Sequence, residues 1–208
     1  MANFGFEATT GYNQIQEEGV NLPKRNVIDF QGAGVTAADD ALNKKTIVTI
    51  PGGGVSTPIF GSFYDTTTQT VALGAVKAIE LNTTDISGGI TITNNLLGRP
   101  TRLTVNTTGV YNVQFSAQLN RTTGGNAKQI DIWLRKNGLD IPWSNTGVTM
   151  QANDGKIVAA WNFYISLNAG QYAEIMWTQD DAIDILASPA GVNYPETPSV
   201  IVTMNKIN

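Results

Sequence analysis

An antiparallel all-β jelly-roll sandwich, preceded by an extended N-terminal arm, is the fold the sequence predicts. Through most of residues 57–208 apolar and polar residues alternate with a period of two, the pattern of half-buried strands. Turn signals separate these runs: Ser87-Gly88-Gly89, Gly124-Gly125, Asn137-Gly138, Asp154-Gly155 and Ala169-Gly170. No helix-length stretch keeps a period of 3.6. QTVALGAVKAIEL (69–81) comes nearest, but Gly74 interrupts it and its β-branched residues suit a strand as well. Short strands divided by regular turns make a sandwich or a barrel.

The first element is the arm, residues 1–56. Apolar residues are sparse in it, and Pro23, Pro51 and a Gly52-Gly53-Gly54 hinge punctuate it. Its large apolar side chains, Leu22, Val27, Ile28, Phe30, Val35, Ile47, Val48 and Ile50 among them, are too few to offset the entropy of ordering some fifty residues. The β-branched NVIDF (26–30) and KTIVTI (45–50) nevertheless read as strands, which disordered segments seldom carry. The arm is therefore expected to order against other chains, with Val27–Phe30 and Thr46–Ile50 as its strands.

The knob, residues 57–208, follows. In GVYNVQFSAQLN (109–120) Tyr111, Val113, Phe115, Ala117 and Leu119 share one face, and Asn112, Gln114, Ser116 and Gln118 share the other. Burying Val113, Phe115 and Leu119 contributes up to about 5–9 kcal/mol. QIDIWLRKNG (129–138) puts Ile130, Ile132 and Leu134 opposite Trp133 and Arg135. KIVAAWNFYISLNAG (156–170) aligns Ile157, Ala159, Trp161, Phe163, Ile165 and Leu167. QYAEIMWT (171–178) and PSVIVTMNKI (198–207) supply two late strands.

Composition narrows the function. Hydrophobic residues make up 41% of the 208 positions and charged residues only 14%, so Thr, Asn, Gln, Ser and Gly carry much of the polar surface. The net charge of -4 and the lack of a basic block argue against nucleic acid or an anionic membrane as partner. With no Cys and no His, thiol nucleophiles, disulfides, the usual zinc sites and His-based general bases are excluded. No spacing supports a Ser–Lys or two-carboxylate mechanism, so no enzyme and no cofactor are expected. The start lacks the basic and apolar regions of a secretory leader, and no apolar run is long enough for a membrane span. Folding in a cytoplasm is the expectation.

TGVYNVQFSAQL, IDIWLRKNG, FYISLNAGQYAEIMW and the terminal SVIVTMNKI together resemble the jelly roll of tumour-necrosis-factor-like and complement globular-head domains. Gly109 and Tyr111 stand where that family opens a central strand, and Leu167 to Gly170 match its Leu-x-x-Gly turn, with Gln171 where Asp is common. The resemblance covers about residues 57–208 and implies a ten-strand sandwich packed as a tight homotrimer. Residues 12–54, from YNQIQEEG to PGGG, resemble a short module of tailed-bacteriophage structural proteins, cyanophages especially, where it precedes assorted domains on fibres and head decorations.

Candidate sites follow. Val27, Ile28, Phe30, Ile47, Val48 and Ile50 are the candidate attachment residues, facing a capsid shell or the other arms of a trimer. Tyr111 and Trp133 are candidates for the trimer interface, since aromatics are enriched there. Trp161 shares its face with core residues, whereas Trp143, in the loop-like DIPWSNTG, is a candidate glycan contact. Asp180, Asp181 and Asp184 offer hard oxygen ligands for calcium, but no Asp-x-Asp-x-Asp-Gly loop is present and a solvated loop is the simpler reading. Gly32-Ala33-Gly34 and Pro51–Gly54 lack the Lys-Ser/Thr and following helix of a phosphate loop and read as turns. Asn82, Asn106 and Asn120 begin glycosylation acceptor triplets, read here as β-rich sequence without a secretory route.

The expected function is that of a virion structural protein, a trimeric capsid cement or head-decoration protein that its arm anchors to the major capsid protein or another shell protein. The alternative is a receptor-binding tip of a head or tail fibre that grips host surface glycan. Against the tip stands the absence of any heptad or collagen-like repeat for a shaft.

Overall fold

A computed structural model describes residues 16–17, 20–23, 28–31, 34–43, 45–50, 57–151, 155–180 and 182–207. The chain divides into two compact units, Met1–Ser56 and Thr57–Asn208. Among the described residues every regular element is a strand.

In the first unit β1 (Gln16–Glu17) pairs with β2 (Val20–Asn21), and β3 (Thr36–Asp40) pairs with β4 (Lys45–Thr49). The register sets Ala38 against Ile47 and Ala37 against Val48. Asp40 makes the turn: one carboxylate oxygen accepts the Asn43 backbone N–H at 3.1 Å and the other accepts the Asn43 side-chain amide at 2.8 Å. Across the hairpin the Lys45 ammonium lies 3.8 Å from the same carboxylate. The expected strand at Thr46–Ile50 forms as β4, and within the chain it pairs with TAADD. Residues 28–31 have no strand structure, and Val27 lies outside the described residues, as do Gly32, Ala33 and the Gly52–Gly54 hinge. The physical reason is local: the Asp40 carboxylate, bonded to Asn43 and facing Lys45, closes β3 onto β4, while residues 28–31 have no ladder partner among the described residues to hold them as a strand.

The second unit contains β5 (Phe60–Asp65), β6 (Lys77–Ala78), β7 (Thr83–Gly88), β8 (Ile90–Asn94), β9 (Pro100–Val105), β10 (Gly109–Arg121), β11 (Lys128–Lys136), β12 (Leu139–Asp140), β13 (Thr146–Met150), β14 (Lys156–Leu167), β15 (Tyr172–Gln179), β16 (Ile183–Ile185) and β17 (Val200–Lys206). One sheet runs β14-β10-β17-β5-β7, with β16 continuing the line of β17 along β10. The other runs β12-β11-β15-β9-β8, with β13 beside β11 and β6 beside β15. Pairing is antiparallel and nested: β5 with β17, β9 with β15, β10 with β14, and β11 with β13. Successive nested pairs alternate between the two sheets, which is a long antiparallel ribbon wound into a jelly roll.

The alternation fills the space between the sheets as expected. Tyr111, Val113, Ala117 and Leu119 of β10 and Ile130, Ile132 and Leu134 of β11 are buried, with Phe63, Leu167, Trp177 and Val202. Phe115 packs its ring 5.4 Å from that of Trp161 and 6.4 Å from that of Phe163, the last two only partly buried because β14 closes one edge of its sheet. The buried Arg121 has no carboxylate among its hydrogen-bond partners: its guanidinium donates to the carbonyls of Thr123 (2.7 Å), Met150 (2.9 Å) and Asn126, tying the loop after β10 to the end of β13. The two-residue turn Asn137-Gly138 joins β11 to β12 with both residues at positive φ (46° and 82°), the type I′ geometry that suits a tight hairpin.

Candidate functional site

The loop from Asp140 to Asn145 builds a shallow cleft on the outer face of the β11 sheet. β11 turns Asp131 and Trp133 outward because their neighbours Ile130, Ile132 and Leu134 enter the core. Thr178 of β15 stands opposite Asp131 in the register. Ser144, itself buried, pins the loop: its hydroxyl donates to the Ile141 carbonyl at 2.8 Å and accepts the Leu134 N–H at 3.0 Å. Trp143 is thereby projected into solvent, fully exposed and at a positive φ of 65°. A bulky side chain in the left-handed region is strained, and such strain persists where the surroundings over-determine it.

Trp133, Trp143, Asp131, Asp140, Asn145 and Thr178 line the resulting space of about 360 Å³, floored by Ile141. Its polar rim is organised. The Trp133 indole N–H donates to Asp140 Oδ1 at 2.7 Å, and Arg135 Nε donates to the same oxygen at 2.7 Å. The Arg135 hydrogen bond, helped by the indole, holds the Asp140 carboxyl below the ordinary carboxylate value. Asp131 Oδ1 accepts from the Asn145 amide at 3.0 Å, and both its oxygens accept from Gln129 Nε2. Neither of these partners of Asp131 is a cation.

A larger cavity of about 650 Å³ lies on the same outer face, lined by Leu96, Leu97, Arg99, Arg102, Arg135 and Glu174 among others. Its charges are ion-paired, though the buried Arg102 Nε makes no hydrogen bond. Lys77 and Arg99 each approach Glu80 at 2.9 Å, and Arg102 sits 3.7 Å from Glu174 with its guanidinium 4.2 Å from the Tyr172 ring centroid. Burial pushes the Glu80 carboxyl up, but the two cations together hold it below its ordinary value.

Sequence reasoning singled out Trp133 and Trp143 separately, and the structure brings them to one cleft. Asp131, Asp140 and Asn145 were missed; the odd-position parity that exposes Trp133 also exposes Asp131. Tyr111 is corrected from an interface residue to a core residue. It is 0% exposed within the single chain, burial raises its phenol pKa, and its hydroxyl donates to the Thr107 carbonyl at 2.6 Å. No surface of it remains for a partner, because it belongs to the inward parity of β10.

In the first unit Phe30, Ile47 and Ile50 are exposed, and Ile28 and Val48 are half-buried. Leu42 stands 92% exposed at the hairpin tip. Asp180 is exposed and accepts the Gln129 N–H at 3.2 Å, Asp184 lies on β16, and Asp181 is outside the described residues. Among the described residues no three acidic side chains converge to hold a metal ion.

No protein-family model matches the chain, and neither does any curated protein sequence. Solved structures similar to it include an Eiger TNF from S. frugiperda, at 11% identity and a TM-score of 0.48, covering 73% of this chain and 93% of that one. Murine APRIL at pH 8.5 matches at 9% identity and a TM-score of 0.44, and at pH 5.0 at 9% and 0.45. Each APRIL match covers 73% of this chain and all of that one. The jelly roll itself is established by the nested strand pairing.

Proposed function

We propose that the protein is a virion structural component of a tailed bacteriophage, a trimeric capsid cement or head-decoration protein whose N-terminal arm attaches it to the shell. The observation that carries this reading is the exposure of apolar side chains along the arm. Phe30 is 44% exposed, Ile47 45% and Ile50 66%, on a unit whose strands are only two to five residues long. Such a surface is stabilised by burial against a partner, and the free edges of the β3–β4 hairpin offer backbone groups for it to pair with. The likeness of residues 12–54 to phage attachment modules gives that partner its class.

The homotrimer has a candidate face on the knob. The outer side of the β14-β10-β17-β5 sheet exposes Val158, Tyr164 and Ile201 among small polar residues, with Val158 opposite Gln118 and Ile201 opposite Ser116. Trp133, the other candidate, is on the opposite sheet, and this reading takes the β14-β10-β17-β5 face as the interface. Three linked arms multiply weak contacts into tight attachment without any one strong contact.

Co-sedimentation with phage capsids tests the reading, using a chain lacking residues 1–54 and the single variants Phe30→Asp and Ile47→Asp. The truncated knob is expected to stay folded and to lose capsid binding, and each point variant to bind at reduced occupancy. Full occupancy for all three would sink arm attachment and put the fibre-tip function in its place.

A further inference from the structure

We infer that the Trp133–Trp143 cleft is a binding site for a neutral pyranose residue, such as the terminal sugar of a surface glycan. Two aromatic side chains and two carboxylates at one small cleft are the chemistry that a sugar ring requires. The apolar C–H face of a pyranose covers an indole, and its hydroxyls donate to carboxylate oxygens. Asp140 Oδ1 is occupied by Trp133 and Arg135, while no hydrogen bond among the described residues reaches its Oδ2. Asp131 retains acceptor capacity on Oδ2, and Asn145 retains one amide hydrogen beyond the one it gives to Asp131. Both donor and acceptor positions are thus present beside the two indoles.

The volume of about 360 Å³ suits one sugar ring and leaves the cleft open for the rest of a chain. Charge selects among sugars. Arg135 neutralises Asp140, but Asp131 is bonded only to amides, so the rim carries an uncompensated negative charge that repels uronates and other acidic sugars. Pre-organisation favours function over mere exposure. Asp140 fixes the Trp133 ring through its N–H, Ser144 fixes the loop, and Trp143 is held in a backbone conformation that costs stability and returns no burial. This site is independent of the arm's role, because every residue of it belongs to the knob.

The full-length chain is titrated with methyl glycosides of galactose, glucose and mannose, with glucuronate, and with tetramethylammonium, read by tryptophan fluorescence and saturation-transfer NMR. Saturable binding of at least one neutral glycoside with Kd of about 1–10 mM is expected, the range of a single small contact site. Trp143→Ala and Asp131→Asn should each weaken it by about tenfold or more. Asp131→Asn preserves shape, and circular dichroism confirms that both variants are folded. Glucuronate should bind more weakly than glucose. The inference is overturned if no neutral glycoside binds, or if both variants bind like the parent. It is equally overturned if tetramethylammonium is preferred, which would make the cleft an aromatic cage for a cation.

Discussion

Trp143 is the residue at which stability and function pull apart. At φ 65° a residue with a side chain forfeits about 1–2 kcal/mol, and full exposure means that the indole regains nothing by burial. Glycine relieves the strain but has about 0.5–1 kcal/mol more unfolded-state entropy to lose. Trp143→Gly is therefore expected to stabilise the knob by about 0.5–1 kcal/mol, a rise of about 1–4 °C in Tm by calorimetry. A fall in Tm would show that the side chain packs against something after all. Asp140 makes a pH prediction. Its folded-state carboxyl lies below 3.8, held there by Arg135 and then by Trp133, so the bridge is complete above that value and breaks as pH falls through the lower folded value. The Trp133 indole N–H resonance should shift with a midpoint below 3.8. Asp184 has the opposite sign, since burial raises its carboxyl and the folded state holds the proton more tightly. Stability is then lost as pH rises from 3.8 through the raised value, and Asp184→Asn should increase Tm at pH 7 but not at pH 3. An unchanged Tm at both would discount that burial.

Among the elements, β10, β11, β14 and β17 were legible because each combines alternation with a run of β-branched or aromatic residues, and β15 was legible as a short apolar and aromatic run after a turn. The turns at Asn137-Gly138 and Ala169-Gly170 were legible because positive φ selects Gly and Asn. β3 was not, since Ala and Asp have low strand propensity and TAADD forms a strand only through its pairing with KTIVT. The cleft was half legible. Alternation shows that Trp133 points outward, but the loop hydrogen bonds of Ile141, Ser144 and Asn145 to β11, which no periodicity announces, bring Trp143 to its side. The β5 strand shows a constraint of another kind. A Cβ added at Gly61 would overlap the ring of Phe63, which is fully buried two residues further along the same strand face. Gly61→Ala is expected to cost about 1–3 kcal/mol in a denaturation experiment, through displacement of that ring. A neutral result would mean that Phe63 has an alternative rotamer at no cost.

For the whole molecule, the core identifies which part folds by itself. Among the described residues, every member of the buried apolar cluster belongs to Thr57–Asn208. Residues 57–208 alone should therefore unfold cooperatively with the Tm of the full chain. The same separation lets oligomerisation be tested on the knob without interference from the arm. Val158 and Ile201 point away from the core, so charges placed there leave its packing intact while opposing self-association through that sheet face. The double variant Val158→Arg/Ile201→Arg is expected to sediment as a monomer with the parent's circular dichroism, where the proposed assembly requires the parent knob to sediment as a trimer. Trp133→Ala in the parent knob should leave the proposed trimer untouched, because its side chain lies on the opposite sheet. If instead Trp133→Ala dissociates the trimer and the arginine pair does not, the interface lies across the cleft, and a sugar could enter only where two copies part.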